Sequence, residues 1–353
     1  MKRINFTLFS LVGLFICYSC NKSNSIPYTQ DGNWISRSSF NGPNRSEAVS
    51  FTIGNFAYVA TGLDQNNKRY NDLWQYDPVA DNWFQMASMP DSNRTGGDTK
   101  RSSAVGFSIP DVAKGYIGTG IQNLTYANMN DFWEYDPTAN TWTQKADFAG
   151  SARYDAVGFG IKSLGYITTG YDGNNAQKDF WQYDPAADSW LAKNSMGGSK
   201  RSAAVAFVYN NKGYVVTGIN SGTPVNDFWS FDPSSGTWTE LRHITNFSSD
   251  NYDDGYTNIV RSNAAAFVIT GTTSGDCAYV STGENGTLYT YTWEYNFGTD
   301  LWKPKTPYEG VARTGAVGFN VQNRGYLGLG RSSTAVFDDL REFKPNDVYN
   351  QND

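Results

Sequence analysis

Hydrophobic and polar residues follow one pattern that recurs along most of the chain. Each copy contains four short segments in a fixed order, and they are clearest at residues 153–159, 165–170 and 179–185 and around Trp190. Apolar and polar side chains alternate in these segments, which is typical of β-strands that bury one face. The pattern therefore predicts an all-β protein built from four-stranded units.

The repeat can be measured because every copy begins with an arginine. These arginines are Arg45, Arg101, Arg153, Arg201, Arg261 and Arg313, so the period runs from 48 residues (153 to 201) to 60 residues (201 to 261). A period near 50 with several strands per unit is typical of a propeller blade. We therefore predict a six-bladed β-propeller that forms one domain over residues 31–345, followed by a tail over 346–353.

The sixth copy is incomplete, because the chain ends without its fourth strand. A matching segment lies at the other end, where the residues around Trp34 resemble those around Trp142. An unpaired outer strand would leave the ring with an open edge. We expect Trp34 to supply the outer strand of the sixth blade and so to close the ring.

Composition agrees with this fold and limits the partners. Aromatic residues make up 16% of the chain and 35 of its 353 residues are glycine, as expected for strands joined by tight turns. The net charge of −6 becomes −8 if the first 19 residues, with Lys2 and Arg3, are removed. A mildly acidic protein without a basic stripe gains little from phosphate groups, so we expect no nucleic-acid partner.

The N-terminus has the features of a targeting segment. Lys2 and Arg3 precede a short apolar run over residues 8–17, which is typical of a signal peptide rather than a membrane span. Cys20 follows the small Ser19, so we expect residues 1–19 to be a lipoprotein signal peptide and Cys20 to carry the lipid. Residues 20–30 are polar and predict a flexible tether. A plain secretory signal or an ordinary membrane anchor is the alternative.

Several motifs resemble those of a known family. The segments Asp131-Phe-Trp-Glu-Tyr-Asp-Pro137 and Asn140-Thr-Trp142 are similar to those of kelch-repeat propellers, most closely bacterial kelch lipoproteins, and this resemblance covers residues 31–345. The kelch diglycine is Thr-Gly here, as at Thr119-Gly120. The resemblance implies that the loops before the first strand and after the second strand open on one face, around an axial pocket.

Most of the recurring charges have a structural interpretation. Aspartates recur at the start of the third strand in five copies, at Asp72, Asp131, Asp179, Asp227 and Asp339. They match five of the six arginines, which predicts an ion pair in each of those blades. We likewise expect Cys277, which opens a strand, to be a buried and inert thiol.

Candidate functional residues lie where the repeat symmetry breaks. Blade 5 has Tyr291 in place of the aspartate and places Glu284 after Gly283, while Glu47 and Asp155 follow their arginines by two residues. The candidate ligand-binding residues are Arg261, Glu284, Tyr291, Tyr171, Tyr154, Asp155, Glu47 and Tyr126. Aromatic faces beside arginine and carboxylates are the groups that a sugar site needs. The long insertion 245–260 is a candidate specificity loop, and an ion at its Asp250, Asp253 and Asp254 stays open.

The catalytic residue types present in the chain limit which enzyme activities it could have. Galactose oxidase resembles this chain in its blades, but its copper site needs two histidines and this chain has only His243. Sialic acid mutarotases, which are also kelch-type propellers, remain an alternative because anomer exchange needs only one acid–base pair and a carboxylate clamp. In that alternative Glu284, Glu47 or Asp155 would be the base and Arg261 the clamp.

The favoured interpretation is a non-enzymatic binding module. We expect a glycan or a partner protein on the loop face, no cofactor and no metal, and contact with the membrane only through the lipid. The expected location is the bacterial outer membrane, facing the periplasm, with surface exposure as an alternative. A purely structural assembly module is the third possibility.

Overall fold

The repeated segments form six four-stranded antiparallel sheets in a computed structural model that describes residues 31–91 and 97–353. Within each sheet the strands pair in the order first, second, third and fourth. The signal peptide, Cys20 and the tether predicted above lie outside the described residues. The strands of blades 1 to 6, in that order, are Val49–Ile53, Phe56–Ala60, Leu73–Asp77 and Asn82–Met86; Val105–Ile109, Lys114–Gly118, Phe132–Asp136 and Thr141–Gln144; Tyr154–Ile161, Leu164–Tyr171, Phe180–Asp184 and Ser189–Lys193; Val205–Tyr209, Lys212–Val216, Phe228–Asp232 and Thr237–Glu240; Ala265–Thr272, Gly275–Ser281, Thr292–Asn296 and Leu301–Lys305; and Val317–Val321, Arg324–Gly328, Leu340–Val348 and Asp31–Arg37.

The six sheets form a closed ring. The first strand of each blade contacts the first strand of the next, and Val49–Ile53 contacts both Val105–Ile109 and Val317–Val321. The fold class is therefore confirmed as an all-β, six-bladed β-propeller. The 3-10 turn Pro110–Val112 is the one helical element of the described ranges, and no helix there has the length and apolarity needed to cross a membrane.

The core lies in the seams between neighbouring blades. Trp133 and Tyr135 of blade 2, for example, share one buried cluster with Phe51 and Tyr58 of blade 1. The third-strand aromatics therefore fill the seam between these two blades. The close approach requires a very small residue at Gly115, because a Cβ atom there would lie 2.3 Å from the Phe51 ring. Repulsion at that distance would force the two sheets apart.

The sixth sheet takes its outer strand from the N-terminal side of the chain. Asp31–Arg37 pairs antiparallel with Leu340–Val348, and Trp34 lies opposite Phe343. The Trp34 side chain is fully buried, with its ring centroid 4.7 Å from that of Phe343. The sheet extends to Val348, beyond the predicted end at Pro345, because a register shift lets the ladder continue past the proline.

Charged side chains hold this outer strand as well. Glu342 in the neighbouring strand has no accessible side-chain surface and forms ion pairs with Arg37, Arg324 and Lys344. Burial alone would raise the pKa of Glu342, but hydrogen bonds from these three cations outweigh it and lower the pKa to about 2. Arg37 thus links the terminal strand to the rest of blade 6 through a carboxylate that stays ionised.

In five of the six blades the first strand begins four residues after its arginine, later than the sequence pattern predicts, whereas in blade 3 it begins at Tyr154. In blade 4, for example, the strand starts at Val205, four residues after Arg201. The residue two positions after each arginine has a positive φ, which interrupts the extended conformation. The arginines therefore lie in the loops that precede the first strands.

Candidate functional site

One face of the ring is formed by the loops that precede the first strands and the loops that join the second and third strands. We call it the loop face. Isolated β-bridges join the two kinds of loop within a blade, such as Ser46 with Leu63 and Thr314 with Arg331. All candidate residues named from the sequence belong to these loops or to the strand ends beside them.

The repeat arginines support the loop face from below. All six are buried, and those of blades 1, 2, 3, 4 and 6 form ion pairs with the recurring aspartates, namely Arg45–Asp72, Arg101–Asp131, Arg153–Asp179, Arg201–Asp227 and Arg313–Asp339. In blade 2 both guanidinium nitrogens lie 2.6 Å from the Asp131 oxygens. The predicted ion pairs are confirmed, and these arginines are structural braces.

In blade 5 the buried arginine binds main-chain oxygens instead of a carboxylate. Arg261 donates hydrogen bonds to the main-chain oxygens of Asn258, Ile259, Thr282 and Tyr291. Burial without a counter-ion lowers the pKa of Arg261 to about 9, so the guanidinium is still charged at neutral pH. Its side chain points into the protein and is fully buried, so the structure does not place it on the surface where a ligand would contact it.

The insertion 245–260 forms hydrogen bonds with the same blade. Asn258 accepts a hydrogen bond from the Trp293 ring nitrogen at 2.7 Å, a contact that an aspartate makes in blades 1 to 3. The Tyr256 hydroxyl accepts a hydrogen bond from the Trp302 main-chain nitrogen, and Asp253 accepts hydrogen bonds from the loop's own backbone. Within the described ranges, no group of three metal-ligating side chains is found. The insertion therefore packs on blade 5.

A closed ring of six backbone hydrogen bonds surrounds the axis at the loop face. It joins the residues that follow the six arginines by two positions, which we call the mouth ring: Glu47, Ser103, Asp155, Ala203, Asn263 and Gly315. Each main-chain N–H donates to the oxygen of the equivalent residue in the preceding blade, at 2.9–3.2 Å, and Gly315 completes the circle back to Glu47. All six residues have a positive φ, between 51° and 62°.

The mouth ring brings two of the predicted carboxylates together. Ser103 of blade 2 lies between Glu47 on blade 1 and Asp155 on blade 3. Its Oγ donates a hydrogen bond to Glu47 Oε2 at 2.9 Å. Burial, and then the charge of Glu47, raises the pKa of Asp155 to about 7. Asp155 is partly buried and lines an open pocket of about 110 Å³ at the mouth ring. A second cavity of about 180 Å³ continues along the axis between the first strands.

A wide cleft opens on this face between the loops of blades 5, 6 and 1. It has a volume of about 470 Å³ and is lined by Asp64, Gln65, Asn67, Glu284, Gly286, Thr287, Leu288, Thr314, Arg331, Ser332, Ser333, Thr334, Ala335 and Val336. None of these described lining residues is aromatic. Hydroxyl, amide and charged groups predominate, so the cleft offers many hydrogen bonds and little stacking surface.

Charged residues connect the cleft to the mouth ring. Glu284 accepts hydrogen bonds from Asn263 Nδ2 at 3.2 Å and from Thr314 Oγ1 at 3.1 Å. Arg331 forms an ion pair with Glu47 through one nitrogen at 3.2 Å, and 43% of its side chain is exposed. Sequence reasoning missed Arg331 as a site residue. The signal was present, because Arg331 occupies the position at which blades 1, 2 and 4 have Leu63, Ile121 and Ile219.

The tyrosines named from the sequence lie elsewhere on the rim. Tyr154 and Tyr171 form an edge-to-face pair on blade 3, with centroids 5.6 Å apart. Tyr291 pairs with Tyr289 on blade 5, and Tyr126 lies over Arg69 at the junction of blades 1 and 2. The structure therefore brings Glu47, Asp155 and Glu284 together around the mouth ring but leaves these tyrosines as separate surfaces.

Two residues with potential chemistry are occupied by other contacts. His243 stacks on Phe247 with centroids 4.1 Å apart and lies 3.3 Å from Glu240. Cys277 is fully buried, and burial raises the pKa of its thiol to about 11. A thiol that is protonated at neutral pH is a poor nucleophile, which agrees with the structural role expected for Cys277.

Comparison with known proteins agrees with this geometry. Residues 200–243, which form most of blade 4, match the family model of the Kelch motif. No curated protein matches the chain. The motif and the six-bladed ring together support a kelch-repeat propeller, a fold that suggests a binding module.

Proposed function

We propose that this protein is a non-enzymatic kelch propeller that binds a glycan in the cleft between blades 5, 6 and 1. The observation that carries the proposal is the cleft itself, whose volume of about 470 Å³ is within the range of small-molecule sites. A partner protein that inserts a polar side chain or loop tip is the competing ligand.

The chemistry of the cleft suits a ligand with many hydroxyl groups. Its serine and threonine hydroxyls both donate and accept hydrogen bonds, and Gln65 and Asn67 add amide groups. Asp64 and Glu284 supply carboxylate acceptors, while Arg331 supplies N–H donors. Charge-assisted hydrogen bonds of this kind discriminate between hydroxyl positions on a sugar ring. Because aromatic residues are absent from this described lining, we expect recognition mainly through hydrogen bonds.

Arg331 is the residue on which the proposal depends most. It forms a single 3.2 Å contact with Glu47, so most of its N–H groups remain available to a ligand. Glu284 lies in the same cleft and is held by Asn263 and Thr314. Holding a carboxylate in one orientation before the ligand arrives lowers the entropy cost of binding.

The proposed location follows from the N-terminal sequence alone. A lipid on Cys20 would hold the propeller at the outer membrane, facing the periplasm, with residues 20–30 as the tether. In that arrangement the membrane is contacted only through the lipid, and the loop face is free to meet its ligand. Labelling with radioactive palmitate tests the anchor, and Cys20→Ala should abolish incorporation.

A glycan array with the full-length protein in detergent tests the binding proposal. Arg331→Gln and Glu284→Gln remove one charged group each from the cleft and are expected to weaken the best glycan at least tenfold. Arg242→Gln is the matched control, because Arg242 is exposed to 42%, contacts Asp300 and Tyr252, and does not line the cleft. It should bind like the wild type.

The array also separates the alternatives. Equal binding by Arg331→Gln, Glu284→Gln and the wild type would contradict the cleft as the site. If no glycan shows saturable binding, the remaining candidates are a protein ligand and a purely structural module. Crosslinking from the cleft then distinguishes these two, because only a protein ligand gives a specific adduct.

One observation favours a second candidate, a sugar-processing enzyme of the mutarotase type. Asp155 has a pKa near neutrality, lies beside Glu47 and faces the axial cavity. A carboxyl group with such a pKa can both accept and release a proton at pH 7. If this candidate is correct, the protein accelerates anomer exchange of sialic acid in a saturation-transfer NMR assay, and Asp155→Asn abolishes the acceleration. Exchange at the uncatalysed rate would exclude it.

A further inference from the structure

Arg69 is a buried arginine whose hydrogen-bonding groups are mostly unused. Seven arginines of the described chain are buried, and six of them spend all three side-chain nitrogens on carboxylate or main-chain oxygens. Arg69 is 6% exposed and donates only through Nε, to Ser102 Oγ at 3.0 Å. Its Nη1 atom is buried without a partner, and no carboxylate of the described residues lies within ion-pair distance.

The carboxylate of Asp98, in the segment that joins blades 1 and 2, already pairs with another cation. Asp98 belongs to the same group of loops, because its main-chain oxygen accepts a hydrogen bond from Gln122 at 3.1 Å. Its carboxylate accepts from Lys100, through the main-chain nitrogen at 3.0 Å and the ammonium group at 3.3 Å. Burying a guanidinium without a counter-charge costs free energy. An anion bound at this position would offset that cost.

An exposed aromatic ring covers the guanidinium. Tyr126 lies with its ring centroid 4.9 Å from Arg69 Cζ, in a cation–π contact. The ring is 63% exposed, so moving it aside would sacrifice little buried surface. Tyr126 is at the tip of the blade 2 hairpin and has a positive φ of 56°, which positions the ring over blade 1. Displacement of this ring would admit an anion from solvent to the unused N–H groups of Arg69.

We propose that Arg69 and Tyr126 form an anion site, which takes a carboxylate, sulfate or phosphate group of the ligand. The planar guanidinium presents two parallel N–H groups that match such oxyanions. Ser102 fixes the orientation of the guanidinium, and Tyr126 covers it when no anion is bound. The chain as a whole has a net charge of −6, so an unpaired cation on the loop face is a local exception that selects anionic groups.

The site adjoins the proposed glycan cleft. Gln65 and Arg69 both lie in the loop that joins the second and third strands of blade 1, which we call the blade 1 hairpin. Gln65 contacts Thr334 on blade 6, whereas Arg69 contacts Ser102 on blade 2. The anion site therefore lies across the blade 1 hairpin from the cleft. The identity of the ligand at the anion site rests on the proposed function, and the ligand would be a glycan that carries an anionic group. The affinity for a simple anion does not depend on that function.

Equilibrium dialysis with radiolabelled inorganic sulfate, at constant ionic strength, tests this site in the full-length protein. We expect saturable binding that Arg69→Gln weakens at least tenfold. Lys68→Gln is the matched control, because it removes the same charge from the adjacent, exposed residue, and its affinity should stay within twofold of the wild type. Absence of saturable binding, or equal binding by Arg69→Gln and the wild type, would overturn the proposal.

Tyr126→Ala provides an independent test that does not alter a buried residue. Removing the cover exposes the guanidinium, so sulfate affinity should rise several-fold, and unchanged or lower affinity would overturn the proposed cover. Failure of the glycan array with sulfate binding intact would remove only the ligand identity. Failure of sulfate binding with the array intact would leave the cleft proposal standing.

Discussion

Six residues on the axis show how a repeat can conserve backbone geometry while it varies chemistry. Each mouth-ring residue contributes only its N–H, its carbonyl oxygen and a positive φ to the hydrogen-bonded circle. A positive φ in a residue other than glycine costs on the order of 1 kcal/mol, and the circle of hydrogen bonds offsets it. The side chains are left free to differ, and Glu47, Ser103 and Asp155 place polar groups at the mouth.

Asp155 carries a testable consequence of this placement. Its pKa is about 7 in the folded protein and about 3.9 in an unfolded chain. The folded state therefore binds the extra proton between these values, and stability falls as pH rises from 4 to 7. At pH 8.5, above both pKa values, Asp155→Asn should have a free energy of unfolding about 4 kcal/mol higher than the wild type, because a pKa difference of about three units corresponds to that free energy. At pH 4 the two proteins should be equally stable in urea unfolding.

A neighbouring variant checks the cause of the shift. Glu47→Gln removes a negative charge that raises the pKa of Asp155, so the Asp155 carboxyl should titrate at a lower pH in carbon-13 NMR. A titration midpoint near pH 4 in the wild type would show that burial and the Glu47 charge do not raise the pKa of Asp155.

At the scale of elements, the arginine braces join three parts of each blade. In blade 2, Arg101 bonds to the oxygens of Thr99 and Thr119 and to both oxygens of Asp131, which also accepts from the Trp133 ring nitrogen. The brace thereby fixes the loop before the first strand against the start of the third. It holds the loop face in one shape.

The cost of breaking a brace should depend on how far its carboxylate is buried. Asp131 has no accessible side-chain surface, whereas Asp179 is 33% exposed. Asp131→Asn leaves a buried charge unpaired and should reduce the free energy of unfolding by about 3 kcal/mol. Asp179→Asn should cost about 1 kcal/mol, because water replaces part of the lost interaction. Equal losses in urea unfolding would contradict this ranking.

The elements themselves could be predicted from the sequence, but their starting points could not. Alternation and turn residues indicated all four strands of each blade. The apolar run begins at each arginine, so the sequence pattern predicts the start of the first strand there. A positive φ at Glu47, Ala203 and their equivalents delays the start of the first strand in every blade except blade 3, and this conformation leaves no mark in a sequence when the residue is not glycine or asparagine.

Residues of the site could be predicted only where they break the repeat. Glu284 and Asp155 stood out because other blades have different residues at those positions. Arg331 breaks the same pattern, yet its role depends on a contact with Glu47 across the junction of two blades. The tyrosines are numerous in all loops, so the sequence could not indicate which of them lie near the cleft.

At the scale of the whole molecule, the ring depends on a strand that is distant in sequence. Trp34 lies among Phe267, Tyr308 and Phe343, and its ring nitrogen donates to the Thr306 oxygen at 3.2 Å. These contacts join the first described strand to blades 5 and 6. Loss of this strand would expose the edge of Leu340–Val348 and open the seam between those blades.

Trp34→Ala therefore tests how the ring is closed. Removing a fully buried tryptophan should reduce the free energy of unfolding by about 4 kcal/mol. Trp190→Ala is the matched control, since Trp190 has the equivalent place in blade 3 but is only partly buried. It should cost about 2 kcal/mol. A smaller loss for Trp34→Ala than for Trp190→Ala, in urea unfolding followed by circular dichroism, would contradict this closure.

The central claim is that the cleft between blades 5, 6 and 1 is the binding site. The most direct test is a crystal structure of the protein with the glycan that binds most tightly on the array. The account predicts glycan density in this cleft, within hydrogen-bond distance of Arg331 and Glu284. Density on the opposite face of the ring, or on the outer strands, would contradict it.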